Sequence, residues 1–294
     1  MFEGFGARRV ATGGGPEIFC RVGGSGPPLL LLHGYPQTHA MWHRVAPVLA
    51  RRFTVVCADL RGYGDSGRPP SDPRHEAYAK RATARDMVEV MEALGFGRFM
   101  VAGHDRGARV VHRMCLDHAG RVGRAAVLDI VPTLTLFRST DMAFAMGYYH
   151  WFFLAQPAPL PERMIGADPV GYLHHKLGQW SAGKDRAWVA PEALAEYERC
   201  FADPAVVHAS CEDYRAAATV DLEHDEADLH ARVACPLLAL WGERGLMGRR
   251  FDVLAAWREK AAGPVEGRAL PCGHFLAEER PEETADELLR FFAG

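Results

Sequence analysis

Three side chains of this sequence have the types and stations to do covalent chemistry together: Asp105, Asp129 and His274. Asp105 is the centre of Gly103-His104-Asp105-Arg106-Gly107, after a strand-like run and ahead of a helical pattern. Small residues two before and two after the centre suit a sharp strand-to-helix turn, where the two elements pack closely. A serine ordinarily stands at that centre. The plainer alternative for an Asp here is a helix N-cap. Asp129 ends the next apolar run, in VLDIVP, and His274 lies in Gly273-His274-Phe275 near the C-terminus. Each singly has an ordinary explanation, His274 especially in a chain with 14 histidines. Their order along the chain, however, is nucleophile, acid, histidine, which is the order of a catalytic triad. Glu243, after the run ending in Trp241-Gly242, is the rival acid, and Asp129 is preferred.

A carboxylate nucleophile has a particular use. It is already charged at pH 7, so it can displace a leaving group from an sp³ carbon without first losing a proton. The product is an alkyl ester on Asp105. Water activated by His274 can attack that ester, while Asp129 fixes the imidazole tautomer and stabilises its charged form. The resulting oxyanion needs backbone N–H donors, expected from Arg106, directly after the nucleophile, and from Tyr35, in the loop after the first buried strand. Arg106 and Arg109, three apart at the start of one helix, point to an anionic substrate. Two anions about 4 Å apart repel by roughly 4 kcal/mol at an effective dielectric near 20. Forked guanidinium hydrogen bonds to a carboxylate can offset that and keep Asp105 ionised. Surface pairing with local acids is the alternative for both arginines, and it is kept for Arg113.

The elements that must carry these residues alternate. Pro28–His33, Thr54–Leu60, Arg98–Gly103, Arg124–Ile130 and Pro236–Trp241 are short apolar runs bounded by Gly or Pro, and read as buried strands. Thr83–Leu94, with Met87, Val88, Met91 and Leu94 at helical spacing, reads as an amphipathic helix; so do 106–118, 251–260 and 282–292. The pattern predicts an α/β fold, a mostly parallel sheet flanked by helices, opened by an antiparallel strand at Ile18–Val22. From about 134 to 222 no strand is evident, and aromatics, prolines and helical fragments fill the gap. A helical cap inserted into the core fits, dividing the chain into core residues 1–133, cap 134–222 and core 223–294.

Bulk properties narrow the rest. The 294 residues carry a net charge of −3 and show no basic cluster interleaved with aromatics, so no nucleic-acid partner is expected. Seven cysteines in no metal-ligand spacing predict neither a disulfide framework nor a metal site, and no cofactor is called for. No apolar run reaches the roughly 20 residues of a membrane helix. A cytoplasmic location without membrane contact is the expectation.

His33-Gly34-Tyr35-Pro36 resembles the oxyanion loop of α/β-hydrolases, and Asp59-Leu60-Arg61-Gly62-Tyr63-Gly64-Asp65-Ser66 resembles the loop after their following strand. Together with GHDRGAR, LDIVPT, YHWFFLAQPAPLPE, CEDYRA and CGHF, these segments resemble the fluoroacetate (haloacetate) dehalogenases over nearly the whole chain. The resemblance implies an α/β-hydrolase fold, a small halogenated acid as substrate, a homodimer, and a departing halide held by His150, Trp151 and Tyr214. Imidazole, indole and phenol each offer one donor. Haloalkane dehalogenases commonly place a Trp directly after the nucleophile, where Arg106 stands here. Two rivals remain: an epoxide hydrolase, using Tyr214 with Tyr148 or Tyr149 as proton donors, and a catalytically silent receptor for small acids.

Overall fold

The computed structural model describes residues 1–294. It contains one eight-stranded sheet built from β1 (Gly6–Val10), β2 (Ile18–Gly23), β3 (Pro28–Leu32), β4 (Thr54–Ala58), β5 (Phe99–His104), β6 (Val122–Leu128), β7 (Leu237–Gly242) and β8 (Val265–Leu270). Their order across the sheet is β1-β2-β4-β3-β5-β6-β7-β8. β2 runs antiparallel to both neighbours, and the pairs from β4 through β8 are parallel. Leu29 to Leu32 are fully buried, as strands covered on both faces must be.

The sequence expectation missed the two edges. The opening strand is β1, and Ile18–Gly23 is the second. β1 carries Ala7, Arg8 and Arg9 exposed, so its sequence lacks an apolar run. β8 alternates exposed and half-buried positions around Gly267, which disguises it in the same way.

The amphipathic helix after β4 spans Lys80–Ala93 and buries Met87, Val88 and Met91, as the spacing predicts. Helix Arg106–Asp117 follows β5 directly and packs on β5 and β6. Between β6 and β7 the chain forms eight helices and no strand, from Thr133–Arg138 to Val220–Ala227. No helix is long and apolar enough to cross a membrane.

Register fixes where the chemistry sits. Gly103 pairs with Val127 and His104 with Leu128, while Leu128 pairs with Leu240. Asp105 and Asp129 are therefore the residues just beyond two adjacent strand ends. In parallel sheets that carboxyl edge is where ligands bind. The turn at Asp105 needs its glycines: a Cβ on Gly103 would lie 2.5 Å from the Gly107 carbonyl carbon, and one on Gly107 would meet the His33 carbonyl oxygen. Gly107→Ala should thus lower unfolding stability by about 1–3 kcal/mol through overpacking, read from urea denaturation. An unchanged midpoint would show that the turn is looser than described.

Candidate active site

Asp105 adopts φ 45° and ψ −111°, a strained conformation for a residue with a side chain. Its carboxylate caps no helical amide, so the N-cap alternative fails. Instead Oδ1 accepts a hydrogen bond from the Tyr35 N–H at 3.0 Å, and Oδ2 lies 4.0 Å from His274 Nε2. Gly34 lets the loop come this close, since a Cβ there would sit 2.5 Å from that of Asp105. His33 Nε2 accepts from the Leu60 N–H at 3.0 Å and anchors the loop to the segment after β4. The Arg106 N–H, first of its helix, has no intrahelical carbonyl to bond. Tyr35 and Arg106 amides thus flank the nucleophile.

Asp129 likewise has a positive φ, 54°, uncommon for a residue with a side chain, and its Oδ2 lies 2.5 Å from His274 Nδ1. Its other oxygen accepts from the Gly242 N–H at 2.9 Å. Glu243, the rival acid, is exposed and does not enter this network. The bond to Asp129 puts a proton on Nδ1 and leaves Nε2 facing the nucleophile. Burial opposes a charged imidazole, but Asp129 and then Asp105 win, and the His274 pKa lies above its ordinary 6.5. Burial likewise raises Asp105; His274 and Arg106, with Arg109 behind them, outweigh it and hold the carboxylate below its ordinary value.

The two arginines are fully interior, at 0% and 3% exposure. They are not equivalent. Arg106 directs Nε and Nη2 onto Asp213 at 2.7 and 3.0 Å, so it has no free fork for a substrate. That corrects the expectation of two forks. Asp213 is also bonded by Tyr63 at 2.9 Å and by Lys80. Only Arg106 Nη1 remains buried without a partner. Arg109 gives Nη1 to the Val131 carbonyl and Thr133 Oγ1, at 3.2 and 3.0 Å, and its buried Nε has no partner. Burial and the neighbouring Arg106 bring its pKa down to about 10, still charged at neutral pH. Arg113 pairs with Asp117 and Asp228, as expected of a structural arginine.

The cap side is lined by donors in the same condition. His150 Nδ1, Trp151 Nε1 and the Tyr214 hydroxyl are all buried without a hydrogen bond. Their rings form one cluster: Tyr214 lies 5.4 Å from His150 and 5.6 Å from Trp151 between centroids. The Arg106 guanidinium covers the Tyr214 ring at 4.1 Å and that of Arg109 covers Trp151 at 4.5 Å. Buried polar groups are rarely left unpaired in native proteins. Five such donors, from residues 106, 109, 150, 151 and 214, belong to one contiguous cluster of rings and guanidinium groups.

Two further residues belong here: Tyr148, named from the sequence only as a proton donor of the epoxide reading, and Trp180, which the sequence did not single out. Tyr148 is buried, with its ring 5.2 Å from His150 and 6.4 Å from His274. Trp180 packs 4.5 Å from His150 and 5.6 Å from His274, and its carbonyl accepts the His274 N–H at 2.9 Å. A small cavity of about 80 Å³ beside Tyr148, Trp180 and His274 opens toward Lys184, Arg244 and Arg249. No local signal marks Trp180 among the aromatics of its segment. No cluster of His, Cys, Asp and Glu has the geometry to hold a metal ion.

The fold and this triad define the class: the chain belongs to the α/β-hydrolase family, whose fold model matches residues 27–281. It is 49% identical, over 100% of this chain and 95% of the relative, to a fluoroacetate dehalogenase of Burkholderia sp. It is 34% identical, over 92% of the chain and 91% of the relative, to a soluble epoxide hydrolase of Corynebacterium sp. (strain C12). A solved structure from Nostoc sp PCC 7120, described as an α/β hydrolase, matches with a TM-score of 0.97 at 58% identity, covering 99% of both chains.

The His274 pKa gives a test independent of any substrate. Titration followed by NMR should place its midpoint above the ordinary value of about 6.5, and Asp129→Asn should move it down. The same midpoint in both proteins would mean that Asp129 does not hold the ring.

Proposed function

We propose that the protein is a hydrolase acting on carbon–halide bonds, converting fluoroacetate or chloroacetate to glycolate and halide. The observation that carries this reading is the cluster of unpartnered buried donors from Arg106, Arg109, His150, Trp151 and Tyr214 beside a carboxylate whose second oxygen accepts no hydrogen bond. Similarity to a fluoroacetate dehalogenase across the full chain supports it.

The substrate carboxylate would lie against Arg109 Nε and Arg106 Nη1, leaving its halogen toward His150, Trp151 and Tyr214. An Asp105 oxygen then attacks the halogen-bearing carbon from the opposite side. The carbon–oxygen bond forms as the carbon–halogen bond breaks, and the halide departs with the electron pair. Halide leaves water for this site only if other donors replace its hydration, and the three cap donors do so. Because they are already in place, no reorganisation accompanies the charge that develops.

Alkylation also prepares the second step. Asp105 loses its negative charge on becoming an ester, and His274 loses with it one of the carboxylates, after Asp129, that raise its pKa. The imidazole pKa falls, so the ring can take a proton from water just when a base is required. The hydroxide formed attacks the Asp105 carbonyl carbon, and the Tyr35 and Arg106 amides receive the oxyanion. Its collapse breaks the ester carbon–oxygen bond, and the departing alkoxide of glycolate takes the proton from the His274 imidazolium. Asp105 reionises by losing the remaining acid proton to water. Turnover should therefore rise with pH through the His274 pKa of the ester form.

An epoxide hydrolase reading keeps some support from the Corynebacterium relative and from Tyr214 and Tyr148 near the triad. A neutral epoxide, however, gives no reason to bury two guanidinium groups beside the nucleophile, and burying charge is costly. We further propose that the chain acts as a homodimer in the cytoplasm, from the same resemblance.

Halide release from fluoroacetate and chloroacetate, measured beside styrene oxide hydrolysis, should show activity on the acids alone. Styrene oxide turnover without halide release would reverse the choice, and chloroacetate binding without halide release would make the protein a receptor. Arg109→Lys should raise KM for chloroacetate about tenfold or more, the usual worth of a hydrogen bond to a charged group. An unchanged KM would remove Arg109 from the substrate site.

A further inference from the structure

Lys176, on helix Pro169–Trp180, is fully buried and forms no ion pair. Its polar contact is Gln179 Oε1 at 3.0 Å, and its ammonium otherwise faces aromatic rings: Tyr149 at 3.7 Å, Trp180 at 5.2 Å and Tyr172 at 5.4 Å from the centroids. The faces of such rings attract a cation but do not neutralise it. Burial brings the Lys176 pKa down to about 7, with no opposing charge to restore it. An isolated interior ammonium is unfavourable for folding. Its position must therefore be accounted for by something other than stability.

The halide socket lies one ring away. Trp180 packs on His150 at 4.5 Å while covering Lys176 on its other contacts. After burial itself, the Lys176 charge is the strongest influence depressing the His150 pKa, ahead of His274, Arg106 and Arg109. His150 is thus kept a neutral donor in an electropositive corner, and it has no carboxylate partner. Neither the triad nor the substrate-carboxylate site makes use of Lys176.

We propose that Lys176 is a positioning residue for the leaving group: its boxed ammonium supplies a standing positive field behind His150 that selects for halides which leave with the most localised charge, fluoride above all. It acts through space and through His150, without touching the halide. The poorer the leaving group, the further bond breaking must proceed before the barrier is passed, and the more charge this field meets. An interaction present only in the transition state raises kcat rather than lowering KM.

The inference rests on the dehalogenase reading, so its test pairs turnover with a measurement that needs none. Lys176→Met and Lys176→Arg would be compared with the unaltered protein at pH 6, where the ammonium is protonated. First-turnover halide release would be followed on fluoroacetate and bromoacetate, alongside thermal stability. Bromide binding would be read as the saturable quenching of tryptophan fluorescence. Lys176→Met should melt no lower than the unaltered protein. It should lose about two- to threefold more rate on fluoroacetate than on bromoacetate, because the two transition states differ by only a fraction of a charge, and weaken bromide binding by about tenfold. That is the scale of one unit charge at roughly 10 Å and an effective dielectric near 20. Lys176→Arg should recover most of both. Equal losses on the two substrates with a lowered melting temperature would make Lys176 structural and overturn the inference. So would an unchanged substrate ratio and bromide affinity. If the unaltered protein released no halide but still bound bromide in a Lys176-dependent way, the dehalogenase reading would fail and the leaving-group role with it, while the Lys176 field at the anion site would stand.

Discussion

The whole structure turns on keeping one carboxylate ionised where water is scarce. Asp105 is 4% exposed, and burial by itself pushes its pKa up. At an effective dielectric near 20, a unit charge about 4 Å away is worth roughly 4 kcal/mol, more than enough to reverse that. His274, with Nε2 4.0 Å from Oδ2, supplies such a charge, and the two arginines add to it from longer range without pairing with Asp105. A carboxylate locked in a salt bridge would be ionised but blunted as a nucleophile. Here its one hydrogen bond comes from the Tyr35 amide, and the other oxygen remains free.

Each supporting cation needs its own support. Arg106 is fixed by Asp213, and Asp213 is held by Tyr63 from the loop after β4 and by Lys80 from the next helix. Against burial, which raises it, Arg106 and then Lys80 keep Asp213 well below the usual carboxylate range. Arg109 relies instead on a backbone carbonyl and a hydroxyl, which leaves more of its charge directed at the site. The asymmetry between two arginines three residues apart follows from what the cap helix Pro204–Ala218 brings over them.

The sheet and the triad were legible in the sequence because they are local signals arranged in order. Buried parallel strands are unbroken apolar runs, the elbow has its glycines, and the triad follows chain order. The edge strands β1 and β8 were not legible, since half-exposed strands carry mixed residues. Within the site, Asp105, Asp129 and His274 were found by motif, and His150, Trp151 and Tyr214 only by resemblance. The engagement of Arg106 by Asp213 spans 107 residues of chain, and no spacing rule reports such a pair. Trp180 and Lys176 were hidden for the same reason: their meaning lies in which rings the cap folds against them.

The central claim is that the Asp105 carboxylate, rather than water, attacks the substrate carbon. A single turnover of chloroacetate in heavy-oxygen water, with enzyme in excess, tests it most directly. The account predicts unlabelled glycolate and one heavy oxygen incorporated into the Asp105 side chain. Heavy oxygen in the first glycolate released, with an unlabelled Asp105, would contradict it.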